Sequence, residues 1–265
     1  MNSGIFHHRW GKLALIGGVW LGLMSFVVRA WAFTARDAST NSAYDGGQWA
    51  LGYNGGTGFG VWRQIGDEPN IAIDNGFAIY ADGQLGRSFE GDIVLGTGTF
   101  SAEALHGYAD GFSGFALYGA DDAEIVRWGV TTAEDPDIGV SRTGFWYAIG
   151  TGGRLVYQFV DAATEESILK TRLDYSLTWA RTDASTSLSL AVGADGVNWA
   201  TVRCLLEEAK VVSAIGFIAS GTSHDSKPLR VDSLYVTGTP VPEPGCVALM
   251  IIGGATLVAR RRRRS

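Results

Sequence analysis

The acids whose spacing could do chemistry are Glu90 and Asp92, separated by Gly91. Residues i and i+2 of a strand point the same way, and two carboxyls about 5 Å apart serve a retaining glycosidase as acid and nucleophile. No third acid continues the pattern at Val94 or Leu95. The remaining acids are worse placed. Glu134-Asp135-Pro136-Asp137 is broken by proline and reads as a solvated loop, while a strand would turn the adjacent pairs Glu165-Glu166 and Glu207-Glu208 to opposite faces. Nucleophilic catalysis has less to work with. The body of the chain holds His106 and His224, neither in a serine or cysteine hydrolase signature, and both read as surface or strand-end positions. No catalytic residue is expected.

Binding chemistry gives more candidates. Asn54-Gly55-Gly56-Thr57-Gly58-Phe59-Gly60 is rich in glycine, but it lacks a Gly-Lys-Ser/Thr ending and a following helix. It therefore reads as a tight loop and not as a phosphate cradle. Asp121, Asp122, Asp135, Asp137 and the Thr182-Asp183 pair put hard oxygen donors on loops, the chemistry calcium prefers. Their spacing matches no regular calcium loop, so solvated acids are the better account. No cofactor is expected, and calcium is the one metal considered. Cys204 and Cys246 are too few for a disulfide framework or a cysteine zinc site, and Cys204 reads as a small buried hydrophobe. Trp49, Trp62, Trp128, Trp146, Trp179 and Trp199 are expected mostly in a core, with one or two free to stack on a sugar.

These side chains need elements to hold them. With 46% hydrophobic and 18% charged residues, the 265-residue chain can pack a sizeable core. Its 37 glycines follow no period and only 6 prolines accompany them, which favours short strands joined by tight turns. Strand patterns run through Phe77–Ala81, Ser88–Ile93, Thr97–Leu105, Gly114–Tyr118, Glu124–Val130, Gly144–Ile149, Leu155–Val160, Asp174–Ala180 and Ser187–Gly193. Ala194-Asp195-Gly196 then supplies a turn into Val197–Val202, and Ile215–Ala219 and Arg230–Val236 complete the set. In the last, alternation puts Val231, Ser233 and Tyr235 on one face and Asp232, Leu234 and Val236 on the other. A helical turn or two is expected over Leu205 to Val211. The fold class is all-β, a two-sheet antiparallel sandwich of jelly-roll type. A propeller is disfavoured because no repeat of forty or fifty residues is present.

The two ends have different chemistry. Met1 to Ala32 reads as a signal peptide: Arg9 and Lys12 precede an apolar run from Leu13 to Val28, and Ala30 and Ala32 are small residues for signal peptidase. Arg29, between that run and the cleavage site, is slightly atypical. At the other end, Thr239 to Gly245 is proline-rich and extended, Cys246 to Ala259 is apolar, and Arg260, Arg261, Arg262, Arg263 and Arg264 close the chain. An apolar helix followed by five like charges is a short membrane insert with a positive stop. Without these end segments, thirteen bases face twenty-six acids. A body so acidic repels phosphate backbones, so nucleic acid is not an expected partner.

Val241-Pro242-Glu243-Pro244, an apolar helix over 246–259 and the arginine cluster 260–264 resemble the PEP-CTERM sorting signal of exosortase substrates. The resemblance implies export through the Sec machinery and transient anchoring in the inner membrane. It also implies recognition of Val241, Pro242, Glu243 and Pro244 by an exosortase-type cysteine transpeptidase, and delivery to the cell surface or outside. Cys246 departs from the serine or threonine common after the motif; it is either an apolar substitute or a lipidation point. A second resemblance lies in Trp49 to Trp62, followed by Phe77-Ala78-Ile79-Tyr80, which looks like the opening of concanavalin/laminin-G-like sandwiches.

The expected organisation is a signal peptide over 1–32, a β-sandwich over 33–238 and a sorting signal over 239–265. The expected function is that of an exported surface or extracellular-matrix protein whose non-enzymatic sandwich binds polysaccharide. The alternative is a secreted polysaccharide-active glycoside hydrolase or lyase on a concanavalin-like fold.

Overall fold

The computed structural model describes residues 32–38, 41–42, 52, 54–65, 77–79, 83–106, 112–134, 139–158, 160–219 and 229–241. The chain divides into two units, Met1–Ala32 and Phe33–Ser265, and every strand among the described residues belongs to the second. The signal peptide with Ala30, the motif residues Pro242 to Pro244, the apolar run 246–259 and Arg260 to Arg264 lie outside the described residues, as do Trp49, Asp135, Asp137 and His224. No described helix is long and apolar enough to cross a membrane.

Two antiparallel sheets make up nearly all of the described structure. Sheet A runs in the order β1 (Phe33–Ala38), β14 (Leu229–Pro240), β5 (Leu95–His106), β10 (Arg172–Arg181), β11 (Thr186–Ala194) and β12 (Val197–Leu206). A short β3 (Phe77–Ile79) pairs with the start of β14 beyond the end of β1. Sheet B runs β2 (Phe59–Gln64), β4 (Gly83–Phe89), β13 (Ala214–Ala219), β6 (Ser113–Tyr118), β7 (Glu124–Glu134), β8 (Ser141–Ile149) and β9 (Val156–Gln158).

Alternation along each strand decides what lies between the sheets. On β10, Leu173, Tyr175, Leu177 and Trp179 are buried while Asp174 and Thr178 face solvent. Rings from the two sheets meet in the middle. Phe100 of β5 lies 5.2 Å from Phe115 of β6 and 5.5 Å from the edge of Trp128 on β7, and Phe115 lies 4.9 Å from Tyr175. Each such pair adds about 1 kcal/mol beyond area burial.

Turn chemistry sets the register. Asp195 and Gly196 both have positive φ, the requirement of a two-residue type I′ hairpin, and they join β11 to β12. Two expectations need correction. On β14, Val231 is buried with Leu234 and Val236, because a bulge between Val231 and Ser233 shifts the phase of the strand. Leu205–Val211 forms no helix; β12 continues to Leu206 and a bend follows. The helix is instead α1 (Ala162–Ile168), begun where the Asp161 side chain accepts the Thr164 N–H at 2.8 Å.

Candidate functional site: the outer face of sheet A and the chain-terminal end

The outer face of sheet A is a lattice of hydroxyls. Cross-strand pairing aligns Thr34, Thr237, Thr99, Thr178 and Ser189 in one row over five strands. The next row aligns Arg36, Tyr235, Ser101 and Ser176. Threonine and serine fit an exposed pleated surface, and neighbouring strands set the rungs about 4.8 Å apart. Tyr235, on the strand next to the β1 edge, is 44% exposed on this face. Charges collect toward one side of it, where Arg172 reaches Asp232 at 2.6 Å and Glu103 at 3.7 Å.

The same sheet carries both ends of the described body. Phe33 opens β1 opposite Gly238, near the close of β14, and its ring packs 5.1 Å from Phe89 of sheet B. Ala32, before it, is exposed. At the other terminus Pro240 pairs with Leu95, and the Val241 N–H donates to the Val94 carbonyl at 2.9 Å. Leu95 is itself fixed by reciprocal backbone bonds with Val212 at 2.7 and 2.9 Å. Val241 also lies over Gly96, where an added Cβ would stand 3.0 Å from its Cγ2. The first residue of the expected sorting motif is therefore a half-buried part of the sheet.

The remaining candidates fall apart as sites. Glu90 and Asp92 do not share a strand face, because β4 stops at Phe89. They sit on an exposed 3₁₀ turn in which Gly91 and Asp92 have φ of 71° and 55°. Asp122 is taken by Arg63, which bonds both carboxylate oxygens and holds that carboxyl below its usual range. Asp121 accepts the Ala123 N–H. No group of three or more metal-ligating side chains occurs among the described residues. Trp62, Trp128, Trp146 and Trp179 are all buried, and Trp199 is partly buried against the core. A slot of about 30 Å³ opens beside Trp128, Phe145, Tyr147 and Val202, too small for a sugar ring. Cys204 is half-buried and in no disulfide, and burial pushes its thiol up while a hydrogen bond with Tyr147 opposes that.

His106 closes β5 but is not at the surface, the position its sequence context suggests. It is fully buried, with Nε2 2.5 Å from the Tyr175 hydroxyl and Nδ1 2.6 Å from Ser113 Oγ. Burial lowers its pKa to about 3 and raises that of Tyr175 well above the ordinary phenol value. In the neutral ring one nitrogen donates and the other accepts, and either hydroxyl can take the complementary role, so both nitrogens are satisfied. Histidine and serine touch, yet the core seals both, so the trio is a satisfied polar chain and no hydrolytic centre.

The glycine-rich loop has a different job from any ligand site. Its Gly55 and Gly60 carbonyls and the Asn54 side chain accept from the guanidinium of Arg87, which also pairs with Asp37. The rings of Phe59 and Trp62 each lie 4.9 Å from that guanidinium. Gly56 and Gly58 have positive φ, and a Cβ on either would strike a β1 carbonyl. Asp37 and Arg87 occupy the inward phase of their strands, after Ala35 and Leu85. A charge in that phase on two separate strands is the signal that would have paired them.

No family model and no curated protein matches the sequence. Among solved structures, the chain is similar to the exoplasmic/lumenal domain of VIP36 in its Ca2+/Man3GlcNAc-bound form. Identity there is 9% and the TM-score 0.42, over 69% of this chain and 85% of that one. It is also similar to lectin I-B4 from Griffonia simplicifolia in its metal-free form, at 10% identity and TM-score 0.41 over 77% and 98% of the two chains. Arcelin-5, a lectin-like defense protein from Phaseolus vulgaris, gives 10% and 0.40 over 79% and 99%. At these scores the likeness carries nothing about ligands to this chain.

Proposed function

We propose that this is an exported, surface-delivered β-sandwich whose outer sheet A face contacts extracellular polysaccharide and whose C-terminal tail is a sorting signal. The delivery half of the reading rests on Val241-Pro242-Glu243-Pro244, the apolar run and the arginine cluster. Support comes from the geometry of the body: Phe33 and Val241 lie at the same end of sheet A, so the body begins and ends at one place. Signal peptidase would act after Ala32, and an exosortase-type transpeptidase on the tail.

The observation that carries the binding half is Tyr235, an exposed ring between Arg36 and Ser101 and beside a row of hydroxyls, on a body with twice as many acids as bases. A ring face stacks on the apolar face of a sugar, and the flanking Ser101 and Arg36 supply polar contacts to its hydroxyls. The reading is non-enzymatic, since Glu90 and Asp92 sit on an exposed turn and do not share a strand face. Two measurements test it. Mass spectrometry of fractions from the native host should find the mature chain outside the cell, starting at Phe33 and without its arginines. A glycan array followed by reducing-sugar assays should show binding without new reducing ends; release of sugar would overturn the non-enzymatic reading.

A further inference from the structure

The sandwich ends where the sorting motif begins. β14 is paired on both sides as far as Gly238, with β1 through Phe33 and with β5, and on the β5 side pairing continues to Pro240. The Val241–Val94 hydrogen bond adds a last rung. Only the residues 242–245 then separate Val241 from the apolar run, a reach of at most about 18 Å between the Cα atoms of Val241 and Cys246. An enzyme that takes its substrate as an extended strand needs the backbone edges of that strand free. Up to Gly238 neither edge is free, and from there to Val241 the β5 edge remains taken.

We propose that the closing rung of β14 regulates processing of the tail. This rests on the sorting reading above. Val241 is tied to the sheet by its bond to Val94 and enters the enzyme's groove only when that rung opens. The bond that is cut therefore lies C-terminal to Val241, and the rate of cutting follows how often the rung at Val94 opens. In the cut itself the transpeptidase cysteine gives up its S–H proton and attacks the peptide carbonyl. A thioester forms, the C–N bond breaks, and the arginine-tailed fragment leaves with the proton on its new amine. Water or an acceptor amine then resolves the thioester.

The test is pulse-labelling of the full chain in its native host, with mass spectrometry of the new C-terminus. Inserting Gly-Ser-Gly-Ser between Val241 and Pro242 removes the steric limit. It should speed conversion about fivefold, the equivalent of one net hydrogen bond, without moving the cut relative to Pro242. Gly96→Val, which crowds Val241 from within the sheet, should act in the same direction. A wild-type C-terminus mapped inside β14, or a conversion rate indifferent to both changes, overturns the proposal and leaves sorting intact. Recovery of every form uncut, arginines included, removes the sorting reading and this proposal with it.

Discussion

Arg87 and Asp37 form an ion pair whose two side chains are both fully buried, one on each sheet. The pair, the two rings beside it and the loop carbonyls tie β1 to β4 across the sandwich. Asp37→Ala leaves a guanidinium in the interior without its carboxylate and should destabilise the fold by about 3–5 kcal/mol in urea unfolding. The double change Asp37→Ala, Arg87→Leu should cost less than the sum of the single changes, because the unpaired charge is gone. Additivity in that cycle would show that the pair contributes no coupling.

His106 makes stability depend on pH. Its folded pKa is lowered from 6.5 to about 3, so below pH 6.5 the unfolded chain takes up a proton that the folded chain refuses. The contribution is whole above pH 6.5 and is lost as pH falls toward 3, with a limiting slope of about 1.4 kcal/mol per pH unit. Unfolding free energies of the wild type and His106→Gln at pH 7, 5.5 and 4 should converge as pH falls. Parallel profiles would assign the acid sensitivity elsewhere.

Tyr235 is the residue on which glycan contact depends. Tyr235→Ala should weaken polysaccharide binding about fivefold, the worth of one stacked ring, while the melting temperature stays near that of the wild type because the side chain faces solvent. Thr178→Asp, which places a charge in the hydroxyl row, should also weaken binding to an anionic glycan. Unchanged retention of both variants on a glycan column would move the contact off this face.

Calcium removal should do little. With Asp122 committed to Arg63 and Asp121 turned to its own backbone, EDTA should shift the melting temperature by less than about 1 °C, since a ligand stabilises only what it binds. A larger drop, restored by calcium, would locate a site beyond these acids.

Much of the sandwich was legible in the sequence because alternation and turn chemistry are local signals. Asp195-Gly196 announced its hairpin, and the polar–apolar alternation of Ser187–Val192 matches the buried and open sides of β11. What failed depended on distant partners or on single-residue insertions. The bulge at Asp232 inverts the phase of β14 and leaves no mark in composition. Gly91 looked like a strand glycine between two acids, but its positive φ turns the chain. His106 read as a surface or strand-end residue and Arg87 gave no signal at all, because their partners lie sixty-nine and fifty positions away. The hydroxyl rows could not be seen either, since a row exists only once strands from four parts of the chain lie in register.

The adjacency of β1 and β14 also decides how the body yields when pulled. Phe33 and Val241 sit at one end of neighbouring antiparallel strands, so tension between the two ends opens their rungs one after another from Gly238 inward. That is peeling, which meets the resistance of a single rung at a time, whereas shear would load them all together. A body held by both ends would give way first at β1, under small force, with the hydroxyl rows on β5, β10 and β11 still in place.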